Sequence, residues 1–200
     1  MDADAVEIRV LGCLIEKQRT TPDTYPLTLN ALRLACNQAT NREPVVDYDE
    51  ETIREALQRL WRKEWARLAS GQGSRSVKYR QLVQETLRLA DEEISILCVL
   101  MLRGPQTPGE LKQRTERLYP FGGLAEIDET LGRLVERDLA LRLERRPGQK
   151  EERYAQLLGG EVDVSAAAAE TRPVLARDPL EERVAALEAE VAALKAELGL

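Results

Sequence analysis

IRVLGCLIEKQRTTP at residues 8–22 and ISILCVLMLRGPQTP at residues 94–108 are two versions of one segment. At an offset of 86, Ile8 aligns with Ile94, Leu11 with Leu97, Leu14 with Leu100, and Thr21-Pro22 with Thr107-Pro108. Further out, IREALQRL (53–60) aligns with IDETLGRL (127–134) at an offset of 74. The first copy therefore carries about twelve extra residues, expected in the region of LACNQATNREPVVDY (34–48). Self-similarity at a fixed spacing marks a duplicated supersecondary unit.

Both copies read in the same order. A first helix carries Val6, Val10, Cys13, Leu14 and Lys17 in copy one and Ile94, Leu97, Cys98 and Met101 in copy two. Spacings of three and four predict a half-buried helix. A Thr-Pro break follows, and Thr107-Pro108-Gly109-Glu110 has the cap, the proline and the returning glutamate of a helix start. The second helices are predicted near 27–37 and 108–118. The third helices bury the stripes Ile53, Leu57, Leu60, Trp61 and Ile127, Leu131, Leu134, Val135, with acidic residues crowded at their starts. Each copy closes on strand, turn, strand, ending at Tyr79-Arg80 and Tyr154. Three helices and a hairpin in about 70 residues is the winged-helix pattern, a relative of helix-turn-helix. The predicted fold is α+β, mainly α. Winged-helix domains occupy 1–83 and 84–160, followed by a linker at 161–179 and a coiled-coil helix at 180–200.

Composition sets further bounds. Apolar residues make up 43% of the 200 residues but aromatics only 4%, so the core must be aliphatic. No apolar run approaches the roughly 18 residues that span a bilayer, and the start MDADAVEIRV lacks a signal-peptide layout. A cytoplasmic protein with no membrane association is expected. Cys13, Cys36 and Cys98 lie far apart in apolar context and read as buried free thiols. The chain has no histidine, which removes the commonest general base and zinc ligand. With no nucleophile-plus-base arrangement either, the expectation is no enzyme, no catalytic residue, no metal and no cofactor. The net charge of −6 is uneven: +1 over 1–83, −2 over 84–160 and −5 over 161–200. Neither half has the marked basic excess usual in DNA binders.

The runs LGCLIEKQRTTPDTYPLTLN (11–30), LACNQATNREPV (34–45), LRGPQTPGEL (102–111) and PGQKEERYAQL (147–157) resemble the YceH family of bacterial proteins of unassigned function. The resemblance covers roughly residues 4–160. It implies a double winged-helix architecture and carries no activity with it. The acidic tail after about residue 165 lies outside it.

Three surfaces are candidates for function. On the first third helix and its wing, Arg54, Gln58, Arg59 and Arg62 could read base edges, and Arg75, Lys78 and Arg80 could hold phosphates. Arg145, Arg146 and Lys150 are the wing cations of copy two, beside Arg133 and Arg137. Against duplex DNA stand Asp49, Glu50, Glu51 and Glu55 at the helix end that meets the bases. The second surface is the polar loop with Asn37, Gln38, Asn41, Arg42 and Glu43, a recognition loop for a partner or a set of turn-shaping caps. The third is the tail. Leu180, Val184, Leu187, Val191, Leu194 and Leu198 form a heptad seam, with valine at one core position and leucine at the other favouring a parallel dimer. The leading expectation is a homodimeric regulator that binds double-stranded DNA. The alternative is an adaptor that docks a protein partner, since fold does not fix function.

Overall fold

The computed structural model describes residues 2–69, 76–145 and 151–160. These form an α+β unit, mainly helical, with two small antiparallel sheets. In the first half, α1 (Ala5–Thr20) leads through a 3-10 turn (Pro22–Thr24) and a short strand β1 (Leu27–Thr28) into α2 (Leu29–Cys36). Then come α3 (Glu50–Arg62), β2 (Ala66–Leu68) and β3 (Lys78–Gln81), in sheet order β1-β3-β2. A four-residue helix α4 (Val83–Thr86) joins the halves. The second half repeats the order: α5 (Asp91–Arg103), α6 (Pro108–Thr115), α7 (Leu124–Glu136), β4 (Ala140–Leu143) and β5 (Arg153–Gln156). A single bridge from Gln106 to Tyr154 stands where β1 pairs with Tyr79.

Local chemistry sets the helix starts. Asp4 and Glu7 form a reciprocal capping box on α1, and Thr107 and Glu110 form the one expected on α6. Thr28 caps α2 through the Ala31 amide. The structural counterpart of Thr107 is thus Thr28, not Thr21. Thr21-Pro22 instead opens the 3-10 turn. The repeat offset consequently falls from 86 to 79 before α2 and to 74 by α3. Seven of the twelve extra residues enter before α2 and five after it, which corrects the expectation that all lie within 34–48.

The first helices were expected to be half-buried, yet they are buried on every side. All residues of α1 from Glu7 to Ile15 and all of α5 from Glu93 to Leu102 are shielded from solvent. Each helix has its own half on one face and the other first helix on the opposite face, so the halves share one core. Gly12 makes the close approach: a Cβ there would lie 2.9 Å from Leu102 Cδ2. Cys98 Sγ donates to the Gly12 carbonyl at 3.4 Å. Gly12 and Cys98 are equivalent in the repeat, so α1 and α5 cross at matching points, as in an isologous dimer interface. All three cysteines are free and buried. No helix among the described residues is long and apolar enough to cross a membrane.

Candidate functional site

The third helices show which cations serve the scaffold and which face outward. Glu7, buried on α1, accepts Lys63 Nζ at 2.5 Å and lies 3.7 Å from Arg59 Nε. Arg59 also pairs with Asp4 at 3.0 Å and lies 3.8 Å from Glu55. The second half repeats this cluster: buried Glu93 accepts Arg137 Nη1 at 3.0 Å and lies 3.7 Å from Arg133 Nε. Glu7 and Glu93 differ by 86, while Arg59 and Arg133, and Lys63 and Arg137, differ by 74. A buried carboxylate must be paired and hydrogen-bonded. One carboxylate per half therefore clamps the end of the third helix to the first. Arg59, expected to read bases, and Arg133 and Arg137, its companions in copy two, are engaged in this clamp. Both repeat offsets were legible in the sequence, and applying them to charged as well as apolar positions would have revealed it.

Several of the other residues expected to meet bases or phosphates are also engaged. Arg54 pairs with Glu51, Arg80 with Glu85 at 3.2 Å, and Arg145 lies 3.7 Å from Glu152, which also accepts Arg142. Gln58 and Arg62 are exposed on α3 and Lys78 is half-buried on β3; neither cation has an ion-pair partner among the described residues. Arg75, Arg146 and Lys150 lie outside the described residues, as do Leu180, Val184, Leu187, Val191, Leu194 and Leu198.

The polar loop is mostly scaffold. Arg42, expected to offer its guanidinium to a partner, has a fully buried side chain. It forks onto Glu16 at 2.6 and 3.1 Å and donates to Gln38 Oε1 and to the carbonyls of Ala35 and Asn41. Burial opposes ionisation of Glu16, but the Arg42 hydrogen bonds prevail and hold its carboxyl below the usual range. Asn37 grips both the amide and the carbonyl of Tyr48, closing the loop ahead of α3. Arg9, also buried, donates to the carbonyls of Cys36 and Pro44. Asn41 and Glu43 are exposed; Asn41 accepts from Arg103, and the Glu43 amide donates to Leu102 O. Of the five loop residues, Asn37, Gln38 and Arg42 are committed internally, because a turn carrying this many backbone groups must satisfy them.

The feature the sequence reading missed is apolar. Trp61, assigned to the buried stripe of α3, is 65% exposed, and Leu68 on β2 is 58% exposed. With Leu57, Ala66 and Tyr79 they line an open groove of about 380 Å³, rimmed by Arg54, Gln58 and Arg67. Trp61 lies next to the stripe on the helical wheel, so its periodicity matched the core. Its position relative to the hairpin leaves it at the core's edge. Among the described residues no cluster of His, Cys, Asp or Glu could hold a metal ion.

The family model described as "Protein of unknown function, DUF480" matches residues 3–149. A UPF0502 protein of Solibacter usitatus is 50% identical over 195 residues, covering 96% of this chain and 92% of that protein. A UPF0502 protein of Geobacter sulfurreducens is 50% identical over 194 residues, covering 94% and 88%. The UPF0502 protein YceH of Escherichia fergusonii is 46% identical over 201 residues, covering 97% and 93%. The likeness therefore reaches past residue 160 into the acidic tail, further than the runs quoted from the sequence. The chain belongs to the UPF0502 (DUF480) family, that of YceH.

Proposed function

We propose that this protein is a non-enzymatic adaptor built from two tandem winged helices, whose first half docks a partner protein in the groove between α3 and its hairpin. The observation that carries this reading is the exposed Trp61 and Leu68 over an apolar groove at the position where a DNA reader would present cations. Exposed tryptophan set among arginines is typical of the residues that dominate protein interfaces. The rim residues Arg54, Gln58 and Arg67 suit a partner segment with an apolar anchor flanked by carboxylates. The carboxylates at the α3 start, Glu50, Glu51 and Glu55, are exposed and would repel a phosphate backbone. The heptad tail fits a homodimer, which would present two such grooves.

A second reading, a regulator that binds double-stranded DNA, rests on Gln58 and Arg62, which face outward on α3. Two assays separate the readings. Affinity capture with wild-type protein should retain a partner that Trp61→Ala loses and Arg62→Ala keeps, with the same ranking when the purified partner is titrated. Binding to mixed genomic DNA fragments at two salt concentrations tests the alternative, because phosphate contacts release counterions and weaken steeply with salt. Salt-sensitive DNA retention lost in Arg62→Ala and unaffected by Trp61→Ala would replace the adaptor reading. Deleting residues 180–200 should yield monomers; an unchanged mass in solution would remove the tail from the dimer.

A further inference from the structure

A second cavity, of about 460 Å³, opens where α1, α5 and α6 meet, and shares no residue with the groove on α3. Its polar wall is Thr20, Asn41, Arg103, Gln113, Arg114 and Arg117, and Val99 and Leu102 give it an apolar floor. Glu16 also lines it. Two carboxylates reach this set, and each is already shared. Glu16 is taken by Arg42 and Lys17, and Glu110 by Arg114 and Arg153. Arg103 has Asn41 as its side-chain partner, and Arg117 has no ion pair among the described residues. Arg103 and Arg117 thus converge on one concavity with no carboxylate paired to either among the described residues, and Arg114 adds a third guanidinium that already shares Glu110.

We propose that this cavity binds a small phosphate-bearing anion, held by Arg103, Arg114 and Arg117 and oriented by Asn41 and Gln113. Guanidinium forks match phosphate oxygens in pairs, and a tetrahedral phosphate accepts from several forks at once, whereas a carboxylate presents one edge. The volume lies within the range of small-ligand sites and exceeds what one phosphate fills, which leaves room over Val99 and Leu102 for an organic moiety. Burial, and then the neighbouring charges of Arg114 and Arg42, push the Arg103 guanidinium down from its usual pKa against the opposing pull of Glu16 and Glu110. An anion would relieve that repulsion. Because Thr20 belongs to the first half and Arg103 and Arg114 to the second, the bound anion would also brace the seam between them.

The test is calorimetric titration and thermal melting of the full chain with orthophosphate, pyrophosphate, ribose 5-phosphate and ribose, at ionic strength matched with sodium chloride. Saturable binding of the phosphates, a rise in melting temperature and no response to ribose are expected. Arg117→Gln, at an exposed position without ion pairs, should fold normally and weaken binding by about tenfold, and Arg103→Gln/Arg117→Gln should abolish it. Arg62→Gln, on the distant α3 face, should bind as wild type does. Equal affinity for orthophosphate and ribose 5-phosphate would assign the site to inorganic phosphate, and tighter binding of the sugar phosphate to an organic carrier; either upholds it. Absence of saturable binding at millimolar concentration, or binding unchanged in Arg117→Gln and in the double variant, would overturn it.

Discussion

The two halves share their interior and differ on their outer faces. Glu7, Arg59 and Lys63 recur as Glu93, Arg133 and Arg137, Tyr79 recurs as Tyr154, and the hairpins start at equivalent positions. On the outside of the third helix, Arg54, Gln58, Trp61 and Arg62 become Asp128, Gly132, Val135 and Glu136, and Leu68 on the strand becomes Arg142. Positions that clamp helix to helix tolerate little, because breaking a buried pair strands a charge. Positions facing water are released from that constraint. Among the described residues the apolar groove with a basic rim lies in the first half, so the proposed docking role belongs to one copy of a duplicated scaffold.

The largest expected effect is on the element that only the first half has. Arg42→Ala removes a fully buried side chain, strips the fork from half-buried Glu16 and leaves the carbonyls of Ala35 and Asn41 without that donor, and should cost about 3–5 kcal/mol in denaturant unfolding. A loss under about 1 kcal/mol would mean the loop is not held as described. Gly12→Val should cost about 1–3 kcal/mol by forcing α1 off Leu102, and it should destabilise both halves together. A melt in which only the first half is affected would deny the shared core. Glu7→Gln and Glu93→Gln should each cost about 1–3 kcal/mol. Losses within about 1 kcal/mol of each other would sharpen the equivalence of the clamps, and one silent variant would break it.

A smaller effect is tied to pH. The Glu16 carboxyl is held below its usual 4.5 in the folded state, so its contribution is fully present above that pH and is lost as pH falls through the folded value. Acid unfolding of Glu16→Gln should therefore show a shallower loss below pH 4.5 than wild type; parallel curves would remove the Glu16–Arg42 pair as a source of acid sensitivity. The smallest expected effect on stability is that of Trp61→Ala, within about 1 kcal/mol because most of the ring is already in water. A larger loss would mean that Trp61 is a core residue after all, as its spacing first indicated.

The sequence by itself determined the duplication, the order of elements in each copy, most of the core and the family. These follow from hydrophobic period, caps and self-similarity, all of which are properties of neighbours along the chain. It misplaced Trp61 because a helical wheel ranks positions by angle and cannot see where the hairpin stops covering the helix. It assigned Arg42 and Arg59 to partners because a charged side chain is usually solvated, and only the tertiary structure brings Glu16 and Glu7 within reach of them. It read α1 and α5 as half-buried because periodicity within one copy carries no information about the other copy packing on the opposite face. The tertiary structure also decided both cavities, since each is bounded by side chains from elements far apart in sequence, and the free energy of such a site depends on which charges meet there.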